Sequence, residues 1–215
     1  MGISRRTVLQ HFSLLAAGLA LNSARGANAA ANRTIVVLGD SLSAEYGLAR
    51  GSGWVALLAE RLAKEKRPYE VVNASISGDT TSGGRSRLPT VLQKNKPAVL
   101  VIELGGNDML RGLPLASSRD NLAAMIHAAQ AAGAKVLLVG MQVPPNFGRA
   151  YVESFSAMYA DLSRSEKTGL VPFLLAGVAE KPDVADWFQA DRIHPLAKAH
   201  PLMLDNVWPA LKKLL

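Results

Sequence analysis

The sequence predicts an α/β fold, with a parallel sheet covered by helices on both faces. Strand-like and helix-like segments alternate from residue 34 to the end. The strand-like segments are short and almost wholly apolar, as strands buried on both faces must be. No internal repeat, linker or low-complexity stretch interrupts the alternation, which argues for one layered domain.

Each element has its own signal. Residues 34–38 (TIVVL) form a β-branched run that stops at Gly39. Residues 54–66 place Trp54, Leu57, Leu58 and Leu62 at helical spacing. Residues 69–74 read as a second strand, and 81–94 as a mixed segment that turns helical from Ser86. Residues 98–104 (AVLVIEL) form a third strand, apolar except for Glu103. A helix is expected over 117–132, capped by Ser117 or Ser118 and ended by Gly133. Residues 135–140 (KVLLVG) give a fourth strand, and 149–168 a long amphipathic helix stopped by Gly169. Residues 170–174 are a weaker fifth strand. Residues 196–215 close the chain as a helix, with Pro195 at its first turn and Pro201 as a kink.

The chain has 215 residues, 49% of them hydrophobic and 19% charged, which suits one domain preceded by a targeting segment. Residues 1–29 read as a signal peptide. Arg5 and Arg6 open it, an uncharged apolar run follows over 12–21, and Ala27-Asn28-Ala29 offers small residues to a signal peptidase. The apolar run is shorter than the ~20 residues that span a bilayer, so no membrane span is expected. Ser4-Arg5-Arg6-Thr7-Val8-Leu9 partly matches a twin-arginine signal. The mature chain is therefore expected to be residues 30–215, exported to the periplasm or secreted. Removal of Arg5, Arg6 and Arg25, with no acid beside them, lowers the net charge from +7 to +4. That is mild, and without a basic run interleaved with aromatics nucleic acid is not an expected partner. The chain has no cysteine, which excludes disulfides, a thiol nucleophile and a lipidated cysteine.

In a parallel sheet the working residues gather at the carboxyl ends of the strands. Gly39-Asp40-Ser41-Leu42-Ser43 follows the first strand, Asn73 to Asp79 the second, and Gly105-Gly106-Asn107-Asp108 the third. Asp191-Arg192-Ile193-His194-Pro195 precedes the last helix. A serine hydroxyl needs a base to become a nucleophile, and an imidazole, with an ordinary pKa near ~6.5, can take and return a proton at neutral pH. Ser41 and His194 fit these roles. Asp191, three residues earlier on the same turn, can hold the far ring nitrogen. The backbone N–H groups of Ser41 and Gly78 and the side-chain amide of Asn107 are candidate donors for the oxyanion of a tetrahedral intermediate, with glycine at 78 allowing close approach. Asp40 reads as a hydrogen-bonding partner within its loop.

These four blocks, in this order, resemble those of the SGNH, or GDSL, hydrolase family. Three further stretches are similar to its periplasmic multifunctional thioesterase/lysophospholipase/arylesterase branch: Ser41 to Gly47, Glu103 to Asp108, and Pro144-Pro145-Asn146-Phe147-Gly148. The resemblance covers essentially all of the mature chain. It implies a three-layer α/β/α sandwich around a flavodoxin-like five-stranded parallel sheet. It also implies hydrolysis of small acyl esters, thioesters or lysophospholipids by a Ser41–His194–Asp191 triad, with no metal or other cofactor and a monomer expected. Arg192 departs from the glycine often found there in that branch. The blocks do not form the Gly-x-Ser-x-Gly elbow of the α/β-hydrolases.

Two other functions fit parts of the sequence. The family fold also serves O-acetyl esterases of carbohydrates and cell-wall polymers, and a flavodoxin-like fold can be a binding module without turnover. The Asp-x-x-His block has no purpose in such a module. Among the other histidines, His11 lies in the signal, His127 reads as structural within a helix, and His200 as a surface or packing residue of the last helix. Glu103, in an apolar strand, must find a partner if buried and is expected to be structural. Trp187 and Phe188 are expected to pack beside the Asp–His loop. The scattered histidines form no metal-ligand pattern.

Overall fold

The structure is a computed structural model that describes residues 33–215. The signal peptide read over 1–29 lies outside the described residues. Five parallel strands run in the order β2-β1-β3-β4-β5. They are β1 (Arg33–Gly39), β2 (Tyr69–Asn73), β3 (Val99–Glu103), β4 (Lys135–Val139) and β5 (Gly169–Val171). The predicted α/β/α layering and the five-stranded flavodoxin-like order are both present.

Alternation along the strands divides the interior in two. Ile35 and Val37 of β1 point into one apolar layer, shared with Trp54, Leu58, Met203 and Val207. Val36 and Leu38 point into the other, with Leu88, Leu122, Met125 and Phe155. The first layer is covered by α1 (Trp54–Lys64) and the C-terminal helix; the second by α2 (Thr81–Asn95) and two later helices. Interior strand β3 is buried at every residue, whereas edge strand β2 is exposed or half-buried throughout.

The chain steps from β1 outward to β2 and then back across to β3. Loops leaving β1 and β3 therefore diverge, and a crevice opens between their carboxyl ends. The register sets Gly39 beside Glu103 there.

Several boundaries differ from expectation. Helix α2 begins at Thr81, five residues before Ser86, because Thr80 accepts the Gly83 N–H at 3.2 Å and Asp108 accepts the Thr81 N–H at 2.9 Å. A short helix α3 (Gly106–Leu110) follows β3 and was not expected. Helix α4 (Leu115–Ala131) starts after Pro114, and Ser118 is no cap: it is buried, its hydroxyl donating to Asp108 at 3.1 Å. Helix α5 spans Arg149–Ser165. The closing helix α6 (His200–Lys212) starts four residues late, so Pro201 lies in its first turn and Pro195 outside it. The delay has a cause, since Phe188 pairs with Pro195 and the Leu196 N–H donates to Trp187 O at 2.8 Å. Those contacts keep the preceding loop extended.

Candidate active site

Ser41 sits on the turn after β1, and His194 comes from the loop before α6. His194 Nε2 lies 2.7 Å from Ser41 Oγ, and His194 Nδ1 lies 2.6 Å from Asp191 Oδ2. Asp191 Oδ1 also accepts the backbone N–H groups of Ile193 (2.9 Å) and His194 (3.0 Å). These bonds, led by the His194 N–H, pull the Asp191 carboxyl down to about 2. It is a carboxylate wherever an enzyme works. Arg192 closes this turn with φ +60°, the left-handed region where a Cβ is strained. The chain thus places arginine where the backbone favours glycine. The Tyr46 ring packs 4.4 Å, centroid to centroid, from the His194 ring.

The other two expected oxyanion donors come from the loop after β2, which holds Gly78, and from helix α3 after β3, which holds Asn107. Gly78 has φ +79°, and a Cβ there would come no nearer than 3.6 Å to another group. Glycine is therefore required by the backbone rather than by crowding. Arg111 donates to the Gly78 carbonyl at 2.7 Å. Among the described residues, the backbone N–H groups of Ser41 and Gly78 donate to no protein acceptor. Asn107, in α3, gives one hydrogen of Nδ2 to Asp40 Oδ2 at 2.9 Å and keeps the second. Its neighbour Asp108 turns inward and ties α2 to α4, accepting from Thr81 Oγ1, the Thr81 N–H and Ser118.

Asp40 is 2% exposed and accepts the Leu42 N–H at 3.0 Å. Burial pushes its carboxyl up to about 6, against the pull of the Leu42 N–H, Glu103, His194 and Asn107. Glu103 is fully buried, and its Oε2 accepts from Ser43 Oγ at 2.7 Å and from the Asp40 N–H at 3.3 Å. Trp54 Nε1 donates to Ser43 Oγ at 3.2 Å.

His127, His200 and Trp187 have their partners elsewhere. His127 pairs with Glu166 at 2.8 Å on the surface. Buried His200 accepts the Trp54 N–H at 3.0 Å, which caps α1 from α6. Trp187 packs against the core with Lys181 and Lys198 over its ring. Sequence reasoning missed Arg87, which spans the end of β1 and the next loop by bonding Asp79 (2.8 Å), Ala74 O and Gly39 O. It missed Ser43 and Trp54 as supports of the site as well. No local signal marks these residues, because their partners are far away in sequence. Among the described residues, no three histidine or acidic side chains are grouped to hold a metal ion.

The exposed large hydrophobic side chains have a common address. Tyr46 follows β1, Ile76 follows β2, Leu110 and Leu113 follow β3, Phe147 follows β4 and Ile193 follows β5. Val184 and Leu196 also follow β5, so every described side chain of this kind lies in the connections that leave the carboxyl ends of the strands.

Known proteins resemble this chain over most of its length. The chain is 56% identical over 186 residues to Esterase TesA of Pseudomonas aeruginosa, covering 86% of this chain and 91% of that protein. It is 41% identical over 186 residues to Thioesterase 1/protease 1/lysophospholipase L1 of Escherichia coli, covering 86% of each. A crystal structure of TesA superposes with a TM-score of 0.82 at 55% identity, covering 85% of this chain and all of that one. The model of the GDSL-like Lipase/Acylhydrolase family matches residues 37–202, and to that family this chain belongs.

Proposed function

We propose that the chain is a serine esterase that hydrolyses acyl esters and thioesters through an acyl-enzyme. In this reading His194 Nε2 takes the Ser41 proton as Oγ attacks the substrate carbonyl. Asp191 holds the ring by Nδ1 and offsets the charge of the imidazolium. The oxyanion accepts hydrogen bonds from the N–H groups of Ser41 and Gly78 and from the free Nδ2 hydrogen of Asn107. Collapse of the intermediate expels the alcohol or thiol, which leaves with the proton from His194. Water then gives a proton to His194, attacks the acyl carbon, releases the acid and restores Ser41.

The observation that carries this reading is the unbroken hydrogen-bond run from Asp191 through His194 to Ser41, at 2.6 and 2.7 Å. The relatives named as esterase, thioesterase and lysophospholipase support the substrate class. The exposed apolar side chains in the connections at the carboxyl end of the sheet, with Tyr46 against the His194 ring, favour fatty-acyl groups over acetylated sugars, because they offer an acyl chain a surface it gains by covering.

Export belongs to the same proposal. Residues 1–29 carry the features of a cleavable signal, and no helix among the described residues is long and apolar enough to cross a membrane. A mature chain recovered from the periplasm with its N-terminus at Ala30 is the expected outcome.

Hydrolysis of p-nitrophenyl esters from acetate to palmitate, by the mature protein and its Ser41→Ala variant, tests the chemistry. Turnover should vanish in the folded variant, and the chain-length profile should peak beyond acetate. Full turnover by folded Ser41→Ala protein would end the proposal.

A further inference from the structure

We infer that Glu103 is a neutral carboxylic acid in the working enzyme, and that its proton, donated to Asp40, holds Asp40 as the acceptor that aims Asn107 at the oxyanion. The inference rests on the proposed role of Asn107 and gives Glu103 the part of a positioning residue.

Glu103 ends β3 directly beside Gly39, so its carboxyl faces the residue before the nucleophile. Every donor it meets goes to one oxygen: Ser43 Oγ at 2.7 Å and the Asp40 N–H at 3.3 Å both reach Oε2. Oε1 is buried and meets no donor among the described residues. No described cation pairs with Glu103. The ionisable groups that act on it or on Asp40 are each other, His194, and the Tyr159 hydroxyl with Asp108 close by. Tyr159 spends its own proton on Leu104 O at 2.9 Å.

A fully buried carboxylate with one bare oxygen and no cation is costly, because its charge leaves water without compensation. A proton on the Glu103 carboxyl removes that cost, and the Asp40 side chain beside it is the hydrogen-bonding neighbour that can accept from it. Two adjacent buried acids then share one charge. The charge belongs on Asp40, the more exposed to donors: the Leu42 N–H holds one of its oxygens and Asn107 Nδ2 the other. Burial, and then the charge of Asp40, push Glu103 well above the usual carboxylate range, in keeping with that assignment. An anionic Asp40 accepts strongly from Asn107, and with one amide hydrogen so pinned the other has a set direction.

The test combines spectroscopy and kinetics on the mature protein. An infrared difference spectrum between the parent and Glu103→Gln in heavy water at neutral pH should show a protonated-carboxyl C=O band lost in the variant. Glutamine can still accept from Ser43 and donate to Asp40, so Glu103→Gln should keep kcat within about threefold, whereas Glu103→Leu should lose about 10²-fold in kcat at unchanged KM. In an Asn107→Ala background the same leucine change should cost less than about threefold, since the two residues act as one unit. Absence of the acid band overturns the inference, as does a glutamine variant as impaired as the leucine one, or losses that add. If the leucine variant does not fold, the band and the glutamine variant still decide. Loss of the proposed triad chemistry would show instead as full activity in Ser41→Ala, which leaves the infrared result intact.

Discussion

Asp191 grips His194 twice, through Oδ2 to the ring at 2.6 Å and through Oδ1 to the backbone N–H at 3.0 Å. One carboxylate therefore sets both the loop that carries the imidazole and the rotation of its ring. Asp191→Asn should lower kcat by about 10²–10⁴, because an amide can present its N–H to Nδ1 and leave Nε2 with the wrong proton. The folded carboxyl sits near 2, below its ordinary 3.8. Its contribution to stability is thus present above about pH 4 and lost as pH falls toward 2. With 36% of the side chain open to solvent, that contribution is small. Rate profiles and urea titrations of parent and variant should show a large kinetic and a minor stability effect; a large stability loss at neutral pH would contradict this division.

Asp40 has the opposite sign. Its folded carboxyl is raised from 3.8 to about 6, so the native state binds the proton more tightly than the unfolded chain does. Stability therefore falls as pH rises from about 4 to about 6 and stays lower above. Asp40→Asn, which carries no charge to bury, should gain roughly 1–3 kcal/mol relative to the parent between about pH 4 and pH 8, while kcat drops. Chemical denaturation at the two pH values checks it. A variant whose relative stability does not change with pH would show that burial is not what raises Asp40.

Gly105 is held at φ +122°, and a Cβ there would lie 2.3 Å from the Tyr159 hydroxyl. Gly105→Ala should destabilise the fold by about 2–4 kcal/mol through strain and the loss of the Tyr159–Leu104 bond. It should also impair catalysis, since Asn107 is two residues on. The midpoint of thermal unfolding reads the first effect directly.

Arg192→Gly should be neutral or stabilising by up to about 1 kcal/mol, the relief at φ +60° being partly offset by the freedom glycine gains when unfolded. Ester turnover should stay within about twofold, because the Asp191–His194 bonds use no Arg192 side-chain atom. A clear loss of stability would mean that the arginine side chain holds the loop.

Much of this was legible from order alone. Each interior strand announced itself as an apolar run, and each of the first three strands was followed by one block of the site. The parallel layout then forced the blocks to one end. What stayed hidden depends on long-range register. An acid at position 103 in an apolar strand signals a buried partner, but only the pairing of Gly39 with Glu103 identifies Asp40 as that partner. Helix α3 was missed because its five residues begin with glycine and asparagine, poor helix formers. Helix α6 was started early because Pro195 resembles a first-turn proline, while the Phe188–Pro195 pairing that keeps it extended leaves no local mark.

Ser41 and His194, the nucleophile and base of the proposed mechanism, stand 153 residues apart, and His194 arrives near the end of the chain. During synthesis the first 190 residues contain Ser41, Gly78 and Asn107 but neither Asp191 nor His194. α6 must also dock before His200 can cap α1. In the proposed mechanism a nascent, truncated or half-folded copy therefore lacks its base and should be chemically silent. Ester turnover in a refolding experiment should then mark the final assembly step, the docking of the last helix, rather than the first collapse.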